Sequence, residues 1–379
     1  MQVIPEIPII YDKFPDNYVN DVNGWAFNEE IVKNNKAKLL TLDIDFGSYC
    51  SLNCPTCFRQ KNSVDDIPHE MKYDDLVILV TQAKKLGLKS VKFLGAGEPL
   101  ENRRFLEFMR FLKDLDIIPL IFTKGQVIGN DIAVKQYFGE YGIVNGKGLV
   151  QELNRCNASI LLNFNSFDDE LQAKLVGSDI NYIHIRNRAL KLLVEEGFNN
   201  GNPTRIALIN SPITIWNIDE AFEIYKWGRL RNLYTVTTPT MISGKVKNHF
   251  WKKISPSEDK LIELYTNIYR FNIETNLQTL EQIEQEGIAA YAGAHPCNQI
   301  ACGLYVTLNG VVLSCPGLEN LIEGNYWDAP LSEIWVNSAN YKRSGIFNCE
   351  CIAKIGKSIP DNLYYNVLLN IKKNKNEKE

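Results

Sequence analysis

The chain has 379 residues, of which 45% are apolar and 23% charged, and its formal net charge is −4. This composition is ordinary for a soluble globular protein with a large core. The small negative charge gives no electrostatic reason to expect nucleic acid or an anionic membrane as a partner. Neither a secretory signal nor an apolar run of roughly 18 residues is present, so we expect no membrane span and a cytoplasmic location.

From Leu39 onward, predicted strands alternate with predicted helices. The strands are expected at 39–46, 90–94, 117–123, 159–164, 204–210 and 233–237. The helices are expected at 72–86, 101–115, 148–154, 181–196, 218–229 and 257–269. Such βα units predict an α/β fold with a parallel sheet, and about six of them favour a partial (βα)6 TIM-like barrel over a closed eight-unit barrel.

The same pattern divides the chain into four parts. We expect an N-terminal extension at 1–38, the barrel at 39–286, a small cysteine-containing module at 287–358 and a C-terminal tail at 359–379. The end of the tail, from Lys372, is rich in charge and is expected to be solvated.

Three cysteines, Cys50, Cys54 and Cys57, lie within eight residues directly after the first predicted strand. Active sites of α/β barrels form at the carboxyl ends of the strands. Three thiolates do not complete a tetrahedral zinc site, whereas they can hold three irons of a [4Fe–4S] cluster and leave the fourth iron open to a ligand. The remaining alternative is a zinc site with a distant fourth ligand. Cys156 stands alone and is expected to be a structural thiol.

The C-x3-C-x2-C spacing resembles the signature of the radical S-adenosylmethionine (SAM) superfamily. In that family SAM chelates the open iron, and the reduced cluster cleaves SAM to a 5′-deoxyadenosyl radical that removes a hydrogen from the substrate. Thr56 and Phe58 flank Cys57 and are candidate SAM-binding residues. Relatives often carry an aromatic residue at the position of Thr56, so ring stacking on adenine is lost there.

Three further strand ends resemble SAM-binding elements of the same family. Gly95-Ala96-Gly97-Glu98-Pro99 is similar to the Gly-Gly-Glu-Pro element that contacts the methionine amino group. Thr123-Lys124-Gly125 stands where relatives have Thr-Asn-Gly, and the lysine is a departure. Asn163, Asn165 and Ser166 stand where relatives bind the ribose or the methionine carboxylate, although Ser166 and Asn165 are equally suited to cap the next helix.

A second group of cysteines follows the barrel and contains Cys297, Cys302, Cys315, Cys349 and Cys351. Asn309-Gly310 between two apolar runs predicts a hairpin that brings Cys297 and Cys315 together. The C-x12-G-x4-C element resembles the twitch and SPASM modules, which carry auxiliary [4Fe–4S] clusters, and five cysteines favour the one-cluster twitch form. We favour Cys297 over Cys302 as the ligand. The alternative is structural zinc, to which His295 is a further candidate ligand.

The resemblance implies a radical SAM enzyme with SAM, one [4Fe–4S] cluster and an auxiliary cluster. It also implies an external electron donor such as flavodoxin or ferredoxin, and a small-molecule or peptide substrate. A ribosomal-peptide maturase, a zinc-binding interaction protein without activity and a barrel that binds SAM without radical chemistry remain alternatives. No catalytic residue beyond the cofactor sites is assigned.

Overall fold

Residues 1–59, 70–347 and 351–376 are described in a computed structural model of the chain, in which nine strands form one sheet. The strands are β1 (Thr41–Ile44), β2 (Ser90–Phe93), β3 (Ile118–Thr123), β4 (Ser159–Asn163), β5 (Ile206–Ile213), β6 (Tyr234–Pro239), β7 (Gly303–Val306), β8 (Val311–Leu313) and β9 (Ile322–Asn325). Their order across the sheet is β6-β5-β4-β3-β2-β1-β7-β8-β9.

Helices separate most of these strands. They are α1 (Glu29–Asn34), α2 (Tyr73–Lys85), α3 (Phe105–Asp114), α4 (Asp131–Phe138), α5 (Gly146–Arg155), α6 (Asp169–Val176), α7 (Tyr182–Glu195), α8 (Ile218–Arg229), α9 (Phe250–Ile254), α10 (Glu258–Glu274), α11 (Leu280–Glu286), α12 (Gln299–Cys302), α13 (Leu331–Asn337), α14 (Ala339–Lys342) and α15 (Leu363–Asn376). Short 3-10 turns lie at Pro99–Glu101, Gly139–Tyr141 and Gly244–Val246.

The first six strands are all parallel to their neighbours and form the predicted partial barrel. In the described sheet β6 does not pair with β1, so the barrel is open. The free edge of β1 pairs instead with β7, also in parallel, and Asp43 of β1 lies opposite Tyr305 of β7. The predicted hairpin is therefore present as β7 and β8, and it continues the barrel sheet instead of forming a separate layer.

Helices cover the outer face of the sheet because one side of each is apolar. In α3 the residues that repeat every three or four positions, including Phe105, Phe108 and Leu112, are fully buried. Several short helices were not expected from the sequence, and α4 and α6 are the two inside the barrel units. Asn130 caps α4, and Asp168 caps α6 through the N–H of Leu171. Both are only two turns long, so their apolar periodicity is weak.

The N-terminal extension closes the amino end of the barrel. Val22 forms a bridge with Thr204 just before β5, and Ser159 at the start of β4 donates a hydrogen bond to the carbonyl of Asn23. The ring of Trp25 packs against Phe122 on the inner face of β3, with ring centroids 5.6 Å apart. A ligand therefore reaches the barrel from the opposite, carboxyl end.

The C-terminal part holds a helix that the sequence interpretation treated as tail. Leu363, Val367 and Ile371 of α15 are buried in one apolar cluster with Leu264 and Ile268 of α10. The charged end from Lys372 is exposed where the structure describes it. Among the described residues, no helix is both long and apolar enough to span a bilayer.

Candidate active site

A cavity of about 250 Å³ lies at the carboxyl ends of the barrel strands. Side chains alternate between the two faces of a strand, so residues two apart point to the same side. Pairs spaced in this way line the cavity on several strands, among them Lys92 with Leu94, Leu161 with Asn163, and Val236 with Thr238. The cavity is therefore the inner face of the barrel near its open end.

The three thiols of the first cysteine group all line this cavity. Burial, with the nearby carboxylates of Glu98 and Glu101, raises the pKa of Cys50 to about 12. Burial also raises the pKa of Cys57, whose Sγ donates to the carbonyl of Arg59 at 2.7 Å. Cys50 and Cys57 therefore hold their protons at neutral pH, and metal binding at these two thiols would release them.

Three glycines pack against the backbone of the cysteine loop. A Cβ on Gly97 would lie 2.6 Å from the carbonyl oxygen of Tyr49, and one on Gly177 would lie 2.2 Å from that of Asn53. A Cβ on Gly244 would lie 2.5 Å from the carbonyl of Phe58. Real Cβ atoms do not come this close, so glycine is required at each position. Gly97, in the loop after β2, therefore leaves room for the backbone of the cysteine loop as well as for a ligand.

Hydrogen bonds hold the same loop at both ends. The N–H and hydroxyl of Ser51 both donate to the carboxylate of Glu101. At the other end, the N–H of Lys245 donates to the carbonyl of Cys57 at 3.0 Å, and its Nζ donates to the carbonyl of Cys54 at 3.1 Å. The loop that carries the three thiols is therefore held in place by its neighbouring loops.

Glu98, at the end of β2, lines the cavity and is 4% exposed. Its carboxylate accepts hydrogen bonds from the N–H groups of Lys124 at 3.1 Å and Leu100 at 3.4 Å. Burial raises its pKa to about 7, because the charged form loses hydration. A cationic group of a ligand would stabilise this carboxylate.

Other predicted SAM-binding residues also reach the cavity. They are Thr56, Phe58, Gly95, Ala96, Gly97, Thr123, Asn163 and Asn165, together with Lys124. Asn163 is buried, and its Nδ2 has no hydrogen-bond partner among the described residues. A buried amide without a partner is costly, and an acceptor oxygen of a ligand would satisfy it. The Nδ2 of Asn165 already donates to the carbonyl of Ser211.

Ser166 does not line the cavity. Its Oγ donates to the carboxylate of Glu220 at 2.9 Å and accepts from the N–H of Asp168 at 2.9 Å. These bonds order the turn before α6, but the N-cap of this helix is Asp168, so neither Ser166 nor Asn165 is the cap that the sequence suggested. We therefore leave Ser166 out of the proposed SAM site.

Asp45 connects the cysteine loop, the β2 loop and the hairpin. Its Oδ1 accepts from the hydroxyl of Tyr305 at 2.5 Å and the N–H of Ala96 at 3.0 Å. Its Oδ2 accepts from Nη2 of Arg59 at 3.1 Å and the N–H of Leu308 at 3.3 Å. The guanidinium of Arg59 also lies over the ring of Tyr305, at 5.0 Å. One buried carboxylate thus ties the barrel to the C-terminal module.

The second cysteine group opens onto the same cavity through Cys297 and Cys315. Burial raises the pKa of Cys297 to about 11 and that of Cys315 well above its usual value, and the nearby Cys351 raises both further. Three thiols of this group therefore lie near one another. Cys349 lies outside the described residues.

Cys302 and His295 are directed elsewhere. Cys302 is 2% exposed, packs with Phe27 and Leu40, and donates from Sγ to the carbonyl of Asn298 at 3.1 Å. Nδ1 of His295 lies 2.7 Å from a carboxylate oxygen of Glu286. The structure brings neither side chain to the cavity.

Among the described residues, no three His, Cys, Asp or Glu side chains are arranged to hold a single metal ion. Thiolates that bind different irons of one cluster need not meet this condition.

The inner end of the cavity carries an acid and a base that the sequence interpretation missed. Asp43 of β1 and Lys92 of β2 lie opposite each other, with Nζ and Oδ1 3.9 Å apart. Oδ1 of Asp43 accepts no hydrogen bond among the described residues, while Nζ of Lys92 donates to Oε1 of Gln299 at 3.2 Å. Asp43 and Lys92 are charged residues within otherwise apolar strands, and this pattern could have identified them from the sequence.

Comparison with known proteins agrees with this arrangement. The family model described as "Radical SAM superfamily" matches residues 44–226, just under half of the chain. A curated relative, the tungsten-containing aldehyde ferredoxin oxidoreductase cofactor-modifying protein of Pyrococcus furiosus, is 30% identical over 92 residues. That match covers 24% of this chain, and the chain spans a quarter or less of the length of the curated relatives it matches.

Two solved structures share the fold over most of the chain. Streptococcus suis SuiB, bound to its precursor peptide SuiA, is 17% identical and superposes with a TM-score of 0.56 over 88% of this chain and 78% of SuiB. Native anSMEcpe, with bound AdoMet and Kp18Cys peptide, is 14% identical, with a TM-score of 0.58 over 89% of this chain and 97% of its own.

The matched segment runs from the end of β1 into α8 and contains the first cysteine group, Glu98 and Asn163. Residues 44–226, which form most of the partial barrel, are therefore similar to the radical SAM superfamily, and the barrel is the fold that SuiB and anSMEcpe share.

Proposed function

We propose that Cys50, Cys54 and Cys57 hold a [4Fe–4S] cluster and that the enzyme removes a hydrogen from a polar substrate bound in the barrel cavity. When bound and reduced by an external donor such as flavodoxin or ferredoxin, the cluster and SAM together supply a 5′-deoxyadenosyl radical. The observation that carries this proposal is that the three thiols, Glu98 and Asn163 line one cavity at the carboxyl ends of the strands.

The chain's own residues position the cofactor. The glycine contacts and the bonds from Ser51 and Lys245 hold the cysteine loop against its neighbours. Glu98 presents a buried carboxylate to the methionine ammonium of SAM, and Asn163 presents an amide N–H to one of its oxygens. The carboxyl-end cavity, closed below by the N-terminal extension, keeps bulk water from the reacting carbon.

The C-terminal module belongs to the same proposal. Cys297, Cys315 and Cys351 approach one another, and Cys349 precedes Cys351 by two residues in the sequence. We assign these four thiols to one auxiliary [4Fe–4S] cluster, as in the twitch modules that this part resembles. Four thiolates also suit zinc, so metal analysis of the purified protein distinguishes the two assignments.

The substrate is inferred to be a polar small molecule or a short peptide. Asp43 and Lys92 offer an acceptor and donors at the inner end of the cavity, which favours a substrate with hydroxyl, amine or amide groups. Peptides are bound in the SuiB and anSMEcpe structures, which supports the peptide maturase as the second candidate. The N-terminal extension packs on the barrel through the bridge between Val22 and Thr204.

Anaerobic reconstitution tests the proposal. Wild-type protein incubated with dithionite and SAM is expected to release 5′-deoxyadenosine, and the triple variant C50S/C54S/C57S is expected to release none and to lose about four irons per chain. Cys156→Ala is the matched control, because Cys156 packs in the core away from the cavity. If the triple variant retained both its iron and nucleoside release, the assignment would be wrong.

A further inference from the structure

A lysine lies beside the second cysteine group without a carboxylate partner. Lys354 lines the cavity and is 1% exposed. Its Nζ donates to the hydroxyl of Thr238 and, at 2.8 Å, to the carbonyl of Pro239. It lies 5.3 Å from the centroid of the Tyr291 ring. All of these partners are neutral.

Burial without a nearby negative charge is energetically unfavourable for the ammonium group of Lys354. Moving an ammonium out of water costs several kcal/mol, and this cost is recovered only when negative charge lies nearby. Cys297 and Cys315 line the same cavity as Lys354, and the backbone N–H of Lys354 donates to the carbonyl of Cys351 at 2.9 Å. In the described part of the chain, no Asp or Glu forms an ion pair with its Nζ. Cys297, Cys315 and Cys351, as thiolates bound to iron, are therefore the available source of negative charge.

We propose that Lys354 is the charge partner of the auxiliary cluster and holds that cluster's reduction potential above the value it would have without the ammonium. This inference rests on the proposed second cluster. Thiolates on iron are negatively charged, and each added electron makes the cluster more negative. A fixed cation beside it stabilises the reduced state more than the oxidised state, which makes the cluster easier to reduce.

The role has a consequence for the reaction. A cluster that is easier to reduce is a better acceptor for the electron that a substrate radical loses when the product is an oxidised, closed-shell molecule. Thr238 and Pro239, at the end of β6, fix the ammonium from the barrel side. The barrel would then contribute to the potential of a cluster whose ligands all lie in the C-terminal module.

The test isolates the second cluster. In the full-length C50S/C54S/C57S background the remaining iron signal belongs to the second group, and its midpoint potential is measured by anaerobic redox titration followed by electron paramagnetic resonance. Lys354→Gln and Lys354→Met are expected to shift the midpoint to more negative values, and Lys354→Arg is expected to keep it near the starting value. Lys357→Gln is the matched control, because Lys357 is exposed three positions away.

The outcomes separate the two proposals. If the triple variant holds no iron, the second cluster is absent, and both this inference and that part of the proposed function are wrong. If the iron is present and Lys354→Gln titrates like the unsubstituted protein, only the inference is wrong. If Lys354→Gln loses the remaining iron while Lys354→Arg keeps it, with unchanged circular dichroism, the charge role is supported. If Lys354→Gln and Lys354→Arg both lost the iron while Lys354→Met retained it, the charge role of Lys354 would be contradicted.

Discussion

Replacing Asp45 with asparagine should weaken the connection between the barrel and the C-terminal module. The carboxylate accepts four hydrogen bonds, two on each oxygen, from Tyr305, Ala96, Arg59 and Leu308. An amide keeps one oxygen and turns an NH2 group toward two of these donors. Whichever way it is oriented, two donors lose their acceptor.

The size of the effect follows from these bonds. A buried donor left without an acceptor costs about 1–3 kcal/mol, and removing one partner of a buried ion pair costs about 3–5 kcal/mol. Arg59 is only partly buried, at 16% side-chain exposure, so its share is reduced by solvent. We expect Asp45→Asn to lower the free energy of unfolding by about 3 kcal/mol.

Urea denaturation of the apo protein, followed by tryptophan fluorescence, measures this change. Asp328→Asn is the matched control, because Asp328 is an exposed aspartate in the C-terminal module. Tyr305→Phe removes a single donor, and a double-mutant cycle with Asp45→Asn should show positive coupling. A loss below about 1 kcal/mol in Asp45→Asn would show that these bonds do not hold the two parts together.

Three further predictions concern the site. Gly177→Ala places a Cβ 2.2 Å from a carbonyl oxygen of the cysteine loop, so the reconstituted protein should lose iron from the first cluster, measured by iron content and absorbance near 400 nm. Cys297→Ser should remove the second cluster whereas Cys302→Ser should keep it, as counted by iron analysis, because only Cys297 faces the cavity. Burial raises the pKa of Asp43 from 3.8 to about 6, so the folded apo protein binds this proton more tightly than the unfolded chain does. Its stability relative to Asp43→Asn should fall as pH rises from about 4 to about 6, by up to about 3 kcal/mol, as measured by urea denaturation.

Each of these has an outcome that contradicts it. Gly142→Ala is the control for Gly177→Ala, because Gly142 has the same left-handed φ and nothing within 4 Å of its Cβ position. Equal iron content in the two variants would mean that the contact with the loop is unimportant. Equal iron in the Cys297 and Cys302 variants would reject the ligand assignment. Parallel pH profiles for wild type and Asp43→Asn would show that Asp43 is solvated in the apo protein.

The sequence predicted the barrel well because each strand and most helices carry a strong local pattern. Strand runs such as 117–122 are continuously apolar, and helix 101–115 has one apolar face, so neither depends on distant contacts. The short α4 and α6 were missed because they contain too few turns to show a period. The helix α15 was missed because its apolar positions are diluted by asparagine and lysine, and it is ordered by packing on α10.

The candidate site was predictable where spacing along the chain carries the information. The first cysteine group and Glu98 follow consecutive strands, and the parallel sheet brings their loops together. Lys354 and Gly177 could not have been found in this way. Their roles come from contacts with residues more than 100 positions away, which no local pattern encodes.

The parallel pairing of β7 with β1 also bears on how the molecule can be divided. A fragment ending after α11 would keep six barrel strands and leave one edge of β1 with its backbone N–H and C=O groups uncovered. An uncovered edge strand is a template for another chain, so such a fragment should self-associate instead of behaving as an independent catalytic core. The hairpin therefore covers the exposed edge of the barrel sheet, in addition to positioning the cysteines of the second group.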